Sequence, residues 1–142
     1  MIYKIRLAFT DDRPCEHLRQ VVNQLDMKCF GDLEWKTGLW WLVWDEEDKP
    51  IGYAGMRVIE GENTAYFCRV GVLPKHRGNG LQKKLIEVRS RYAKRLGCEV
   101  VVTYTSADNS PSINSLVSRG FRHYNPEYPW AGSAYLYWRK TL

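Results

Sequence analysis

The stretch that decides the fold of this chain is VGVLPKHRGNGLQ, residues 70–82. An apolar run stops at Pro74, a basic segment with Gly78 and Gly80 follows, and a strongly periodic helix begins at Leu81. The first turn of a helix has backbone N–H groups without partners and a partial positive charge. Glycine lets such a backbone come close to an anion, so this strand–loop–helix transition is a candidate phosphate site.

Two other interpretations of this loop stay open. Asn79-Gly80 is typical of a hairpin turn, but residues 81–96 have helical periodicity and not strand alternation. The glycines could also serve only a tight connection. The chain has no G-x-x-x-x-G-K-[ST] and no G-x-G-x-x-G, which excludes the ATP-type phosphate loop and the dinucleotide fingerprint.

Outward from this loop, the hydrophobic pattern predicts alternating groups of strands and helices. Helices are expected over residues 15–29, residues 81–96, and from near Pro111 to just before Gly120. Strands are expected at residues 4–8, 40–44, 51–59, 64–72, 100–105, 121–124 and 134–139, and residues 32–38 read as a loop or a short extra helix. This order predicts a mixed sheet covered by helices.

Composition places the chain among ordinary globular proteins. Its 142 residues are 44% hydrophobic and 26% charged, which fits one domain over residues 1–142. We expect no membrane span, no signal peptide, and hence a cytoplasmic location. The four cysteines are widely spaced and are expected to be reduced thiols, and the three histidines lack metal-ligand spacing, so no metal site is predicted.

The positive charge of the chain is concentrated in residues 75–96. That segment holds eight Lys and Arg residues against Glu87 alone, whereas the net charge of the whole chain is only +5. A concentrated basic segment suits an anionic, phosphate-bearing ligand, although a solvated helix face explains most charge runs. The modest total charge argues against nucleic acid as the partner.

Residues 77–82, RGNGLQ, resemble the Q/R-x-x-G-x-G/A motif of the GNAT superfamily of N-acetyltransferases. In that family the motif lies between the fourth strand and the next helix, where loop amides hold the pyrophosphate of acetyl-CoA. The match holds at Arg77 and Gly80, whereas Gln82 departs from the final Gly or Ala and could either crowd the site or add a donor. A frame beginning at Lys75 would satisfy both glycines but disturbs the helix register, so the Arg77 frame is preferred.

A second segment, residues 109–121, resembles the N-x-x-[A/S]…G-F pattern of the same family. Alone it is also a common capped helix that ends at Gly120. The two resemblances together imply three sets of acetyl-CoA contacts: main-chain pairing of the pantetheine arm with Val70, Gly71 and Val72; pyrophosphate contacts from Arg77, Gly78, Asn79, Gly80, Leu81 and Gln82; and contacts from Asn109 and Ser112.

The resemblance also implies a fold and an activity. The fold class is α/β (α+β), a GNAT-like mixed, mostly antiparallel sheet of six to seven strands flanked by three to four helices. The activity is transfer of the acetyl group of acetyl-CoA to a primary amine of a small molecule or of a peptide or protein. A CoA-binding module without catalysis and a basic nucleic-acid-binding domain are the alternatives, and a homodimer is left open.

The acid–base groups are less clear from the sequence. Leu116 stands where many members of the family have a tyrosine acid, and Tyr66 and Tyr104 occupy positions at which others have a base. Tyr104 is the candidate proton relay, although a packed aromatic side chain is the alternative. The N–H of Val72 is the candidate oxyanion donor.

Acceptor binding is expected near the first helix, residues 32–38 and an aromatic loop before the last strand. A cationic amine would be bound there through charge and cation–π contact, while surface carboxylates beside aromatic packing are the alternative. The candidates are Glu34, Trp35, Tyr128 and Trp130, with Asp32 and Glu127 beside them.

Overall fold

The computed structural model describes residues 2–31 and 36–142, in which the chain forms seven strands, three α-helices and one short 3₁₀ turn. The strands are β1 (Lys4–Phe9), β2 (Leu39–Trp44), β3 (Pro50–Ile59), β4 (Thr64–Val72), β5 (Val100–Ser106), β6 (Arg122–Tyr124) and β7 (Tyr135–Thr141). The helices are α1 (Glu16–Phe30), α2 (Leu81–Arg95) and α3 (Ser110–Ser118), and the 3₁₀ turn is Pro74–His76.

The strands form one sheet in the order β1-β2-β3-β4-β5-β7-β6. β1 and β3 run antiparallel to β2, and β5 and β6 run antiparallel to β7. β4 and β5 are parallel, as expected for strands joined by a helical crossover. The predicted fold class, a mixed and mostly antiparallel sheet with flanking helices, is confirmed.

The chain divides into two compact units. The first comprises Met1–Arg57 and Cys68–Leu81, and the second comprises Val58–Phe67 and Gln82–Leu142. The boundary therefore falls within β3 and β4 and just after the first residue of α2.

The core of the first unit is built around β2. Residues Trp40, Trp41, Leu42 and Val43 are all buried, because this strand is apolar on both of its faces. Gly55 on β3 makes room for the Trp40 ring, since a Cβ at position 55 would lie 2.5 Å from that ring.

The core of the second unit lies under α2. Leu85, Ile86 and Ala93 are buried there, and the guanidinium of Arg89 lies 4.1 Å from the centroid of the Phe67 ring. Leu96, which the periodicity places on the buried stripe, is instead 49% exposed, because the helix ends at Arg95 before the stripe is complete.

The predicted stop signals terminate the helices. After α2, the N–H of Gly97 donates to the carbonyl of Lys94 and the N–H of Cys98 donates to that of Ala93. Gly97 has φ +88°, the left-handed conformation that glycine adopts without steric cost.

Most sequence-based boundaries lie within one residue of the observed ones, and the end of β7 differs by more. β7 begins at Tyr135 and extends to Thr141, two residues beyond the predicted end, because pairing with β5 continues to the Val100–Thr141 pair. The predicted loop or helix at residues 32–38 lies partly outside the described residues, and residues 36–38 belong to neither a helix nor a strand. Within the described ranges, none of the helices has the length and apolar character needed to cross a lipid bilayer.

Candidate functional site

The carboxyl end of β4 presents main-chain groups at one edge of the strand. The N–H of Leu73 donates to the carbonyl of Ile51 on β3 at 2.9 Å. The two ends of a trans peptide point in opposite directions, so the carbonyl of Val72 faces away from β3. In an extended residue the N–H and the C=O lie on the same side. The N–H of Val72 therefore also faces the edge opposite β3.

The side chain of Arg77 folds back onto this edge. Its Nε donates to the carbonyl of Val72 at 2.9 Å. The sequence predicts a role for the backbone of Arg77 but gives no signal for this side-chain contact. The 3₁₀ turn Pro74–His76 reverses the chain between the two residues and brings them together.

The loop before α2 contains two glycines in the left-handed conformation, Gly78 with φ +81° and Gly80 with φ +72°. A Cβ at either position would meet no atom within 4 Å. Within the protein, glycine is therefore favoured at these two positions by the left-handed backbone conformation and not by crowding. Asn79 closes the turn, since its Nδ2 donates to the carbonyl of His76 at 2.9 Å.

The first turn of α2 has an unusual charge pattern. It contains no acidic residue, whereas Lys83 and Lys84 stand there. Cations at a helix N-terminus are unfavourable because the helix dipole is positive at that end, and a bound anion removes the conflict. The loop and the first turn thus fit a phosphate-bearing ligand.

The side chain of Gln82 makes a hydrogen bond within the second unit. Its Nε2 donates to the hydroxyl of Ser112 at 2.8 Å, so the side chain is directed toward the first turn of α3. The N–H of Ser112 in turn donates to Oδ1 of Asn109, the predicted cap, at 3.3 Å. The second unit therefore links Gln82, Ser112 and Asn109, three of the predicted cofactor-binding residues.

Aromatic side chains from β4, β5, β7 and the loop before β7 form a cluster in the second unit. The rings of Tyr66 and Tyr104 are nearly parallel, with centroids 6.4 Å apart. Trp130 packs edge-on against both, at 5.3 Å and 5.4 Å. Tyr135 lies 4.9 Å from Tyr104. We call these four residues, with Tyr137, the aromatic cluster.

Tyr137 fixes the loop that carries Trp130. Its hydroxyl accepts a hydrogen bond from the N–H of Ala131 at 2.9 Å and donates to the carbonyl of Gly132 at 2.7 Å. Tyr137 itself is only 4% exposed, and both bonds are partly buried. The loop is thereby attached to the sheet at a defined point.

The parallel pairing of β4 with β5 runs from Thr64–Val100 to Tyr66–Val102. At the next position the two strands are joined by a side-chain hydrogen bond, in which Oγ1 of Thr103 donates to the carbonyl of Phe67 at 3.0 Å. Tyr104 follows directly after this point.

The remaining predicted residues fall in different surroundings. Leu116, at the family position of a tyrosine acid, is buried and carries no group that could transfer a proton. Tyr128 is 77% exposed. The predicted acceptor residues Asp32, Glu34 and Trp35 lie outside the described residues. Among the residues that the structure does describe, no cluster of three or more His, Cys, Asp and Glu side chains could hold a metal ion.

A buried ionic network in the first unit is absent from the sequence-based predictions. Asp26 on α1 is fully buried. Its carboxylate accepts hydrogen bonds from Nζ of Lys36 at 2.6 Å, from the hydroxyl of Tyr53 at 2.5 Å and from the guanidinium of Arg69 at 3.1 Å. Burial, together with the hydrogen bond to Asp26, raises the pKa of the Tyr53 hydroxyl far above its ordinary value. Tyr53 therefore stays a neutral donor.

One signal in the sequence could have revealed Asp26. It lies four residues after Val22 and three before Cys29, which is the spacing of the apolar face of α1. A carboxylate at such a position needs buried partners. Its partners come from later parts of the chain, so the sequence gives the position but not the network.

This network adjoins Gly71 on β4. A Cβ at Gly71 would lie 2.5 Å from the Tyr53 ring and 2.9 Å from the sulfur of Cys29. Burial raises the pKa of the Cys29 thiol, and the neighbouring Arg77 guanidinium partly opposes this shift. Gly71 is therefore needed for a close approach of side chains to the β4 main chain.

Comparison with known proteins supports the same family. Residues 3–121 match the model of the acetyltransferase (GNAT) family. A mycothiol acetyltransferase of Pseudarthrobacter chlorophenolicus is 38% identical over 56 residues, which are 39% of this chain and 17% of that protein. The match thus spans less than a fifth of the relative's length.

Solved structures share the fold over nearly the whole chain. A Bacillus subtilis acetyltransferase in complex with CoA has a TM-score of 0.75 at 15% identity, covering 99% of both chains. The ribosomal-protein-S18-alanine N-acetyltransferase of Escherichia coli has a TM-score of 0.74 at 16% identity, covering 99% of this chain and 94% of that one. The resemblance inferred from the glycine loop and the Asn109 segment is confirmed. The match over residues 3–121 shows that the chain belongs to the acetyltransferase (GNAT) family.

Proposed function

We propose that this chain is an N-acetyltransferase that moves the acetyl group of acetyl-CoA to a primary amine. The observation that carries the proposal is the start of α2, where two left-handed glycines precede a first turn with two lysines and no acidic residue. This arrangement is unfavourable for a bare helix and favourable for one that holds a diphosphate.

The proposed cofactor contacts follow the described geometry within each unit. In the first unit, the main chain of Val70, Gly71 and Val72 pairs with the pantetheine arm like an added strand. The loop Arg77, Gly78, Asn79, Gly80 and Leu81 supplies amides to the diphosphate. In the second unit, Gln82, Asn109 and Ser112 supply further polar contacts.

The chemistry requires little from the protein beyond position and charge stabilisation. A neutral amine nitrogen bonds to the thioester carbonyl carbon, the carbon–sulfur bond breaks, and the sulfur leaves as thiolate. The proton lost by the amine balances the proton gained by the thiolate. Val72 donates its N–H to the carbonyl oxygen as negative charge develops there. Tyr104 is the proposed proton relay, and holding both reactants in place supplies much of the acceleration.

The acceptor is proposed to bind beside the aromatic cluster. An ammonium group is attracted to aromatic faces, and Trp130 is 38% exposed at the edge of the cluster. Tyr128 is the other described candidate, while the sequence-based candidates Glu34 and Trp35 lie outside the described residues. The acceptor is a small amine or a peptide, and assays of acetyl transfer to both kinds of amine distinguish these two.

Binding of acetyl-CoA is tested by thermal unfolding. A ligand that binds only the native state raises the melting temperature, so acetyl-CoA should stabilise the protein. Arg77→Glu combined with Gly80→Trp should abolish this shift. Lys94→Glu is the matched control, because it reverses an equally exposed charge at the far end of α2. No shift in the unmodified protein would refute the proposal.

Catalysis is tested by release of free thiol from acetyl-CoA with a panel of amines and peptides. Tyr137→Phe removes the hydroxyl that fixes the Trp130 loop, so we expect a higher KM for the acceptor with little change for acetyl-CoA. The buried Leu116 favours a second candidate, a CoA-binding module without catalysis. Stabilisation by acetyl-CoA with no thiol release on any amine would support that module.

A further inference from the structure

We propose that Tyr53, held by Asp26, is a positioning residue for the β4 segment that carries the Val72 N–H. This inference rests on the proposed function, because it assigns to the buried network a role in acetyl transfer. It concerns the first unit alone, where Asp26, Tyr53, Gly71 and Val72 are all described.

The first step of the argument is the anchor. Asp26 has no exposed surface, and its two carboxylate oxygens accept from three donors on different parts of the unit. Oδ1 bonds Tyr53, whereas Oδ2 bonds Lys36 and Arg69. The carboxylate is thus fixed from two sides, and the Tyr53 hydroxyl has one defined position.

The second step is the contact between the Tyr53 ring and the main chain of β4. A Cβ at position 71 would lie 2.5 Å from Cε1 of Tyr53, closer than such atoms approach each other. On another side, the carbonyl of Gly71 would lie 3.2 Å from a Cβ at Gly52. Gly71 is therefore confined by a ring and by a neighbouring strand, with no side chain of its own between them.

The third step joins Gly71 to the reacting atoms. The N–H of Val72 belongs to the same rigid peptide unit as the carbonyl of Gly71. A displacement of Gly71 therefore moves this N–H. The peptide between Val72 and Leu73 is held at both ends, because the Leu73 N–H donates to Ile51 and the Val72 carbonyl accepts from Arg77. Tyr53 supplies the restraint on the peptide before it, between Gly71 and Val72.

A role in stability alone explains this network poorly. Buried ion pairs recover little more than their desolvation cost, and apolar residues of similar volume often stabilise a protein as well or better. A hydrogen-bonded network differs from apolar packing in being directional. Directional restraint has a clear use where a donor must meet a developing charge at a fixed place.

The test is Tyr53→Phe, which retains the ring and removes only its hydroxyl. We expect kcat for acetyl transfer to fall about tenfold, since small displacements of catalytic groups cost one to two orders of magnitude. The Kd for CoA should rise by a smaller factor than kcat falls, because the loop of residues 77–81, proposed to hold the diphosphate, is not altered. Thr105→Val is the matched control. It removes one buried hydrogen bond to the Trp138 indole in the second unit and should leave kcat unchanged.

A second readout does not depend on activity. Hydrogen exchange at the Leu73 amide, which donates to the carbonyl of Ile51, should become faster in Tyr53→Phe, while the amides of residues 78–80 keep their rates. Asp26→Asn combined with Tyr53→Phe should lower kcat no further than the larger single effect, because both changes break the same link.

The outcomes separate the two proposals. If wild type transfers acetyl groups while Tyr53→Phe keeps its kcat, or loses kcat and CoA affinity in parallel, the positioning role is wrong. Unchanged exchange at Leu73 overturns it as well, whether or not an acceptor has been found. If wild type shows no stabilisation by acetyl-CoA, the proposed function fails, and the exchange measurement still decides the structural part of the inference.

Discussion

Gly80→Ala and Gly97→Ala place the same strain at the two ends of α2 but should differ in their effect on CoA. Both glycines are left-handed, with φ +72° and +88°, and a Cβ at either would meet no protein atom within 4 Å. An L-residue in this conformation costs roughly 1–2 kcal/mol. For a chain of this size, each kcal/mol of lost stability lowers the melting temperature by about 2–4 °C. The two variants should therefore be destabilised alike.

Binding of CoA distinguishes the two positions, because only Gly80 lies in the loop proposed to hold the diphosphate. The added methyl group would occupy space that the protein leaves open for the ligand. We expect the Kd of Gly80→Ala to rise at least tenfold, about 1.4 kcal/mol, with Gly97→Ala unchanged. At a concentration of 100 times the wild-type Kd, stabilisation by ligand should drop from ~2.7 kcal/mol to about half.

Titration calorimetry and thermal unfolding of both variants, with and without CoA, measure these quantities. Equal CoA affinity in the two variants would refute the assignment of the loop. Unequal melting temperatures without ligand would refute the strain argument on which the comparison depends.

Three further predictions concern stability and reactivity. Gly55→Ala should destabilise the protein by about 2 kcal/mol in urea unfolding, because the new Cβ overpacks the buried Trp40 ring; a neutral result would contradict the packing. Cys29 should be alkylated slowly near pH 8, with a rate that still rises above pH 9, since burial raises its thiol pKa; mass spectrometry should also show protection by CoA. The amides of residues 49 and 47 donate to Asp45 and hold its pKa below the usual 3.8. A carboxylate whose pKa is lowered by folding stabilises the protein at pH values above its ordinary pKa, and this stabilisation is lost on acidification. The melting-temperature difference between wild type and Asp45→Asn should therefore shrink as the pH falls below 4. A difference that stays constant would contradict this prediction.

Local sequence signals accounted for the secondary structure and for the glycine turn before α2. Apolar periodicity and the glycines at residues 78, 80 and 97 depend on neighbours within a few positions, so the sequence alone suffices to interpret them. The α2 boundary shows the limit of this approach. Leu96 continues the periodic stripe in the sequence, yet the helix has already ended and the side chain is half exposed.

Interactions between distant residues escaped prediction. Asp26, Lys36, Tyr53 and Arg69 are spread over 44 positions of the chain, and no spacing rule relates them. Charged residues are also expected at the surface, so a fully buried Asp–Lys pair contradicts the general expectation. The direction of the Gln82 side chain was likewise beyond the sequence, because its partner Ser112 is 30 residues away.

The bond from Arg77 to the carbonyl of Val72 has a consequence for how a ligand arrives at this edge. A strand-like arm that pairs there finds its acceptor already engaged by a guanidinium. If the arm donates to this carbonyl in place of Arg77, association exchanges one donor for another and frees the guanidinium beside the loop that is proposed to hold the diphosphate. Docking of the arm and neutralisation of the phosphates would thus be two parts of a single movement of one side chain.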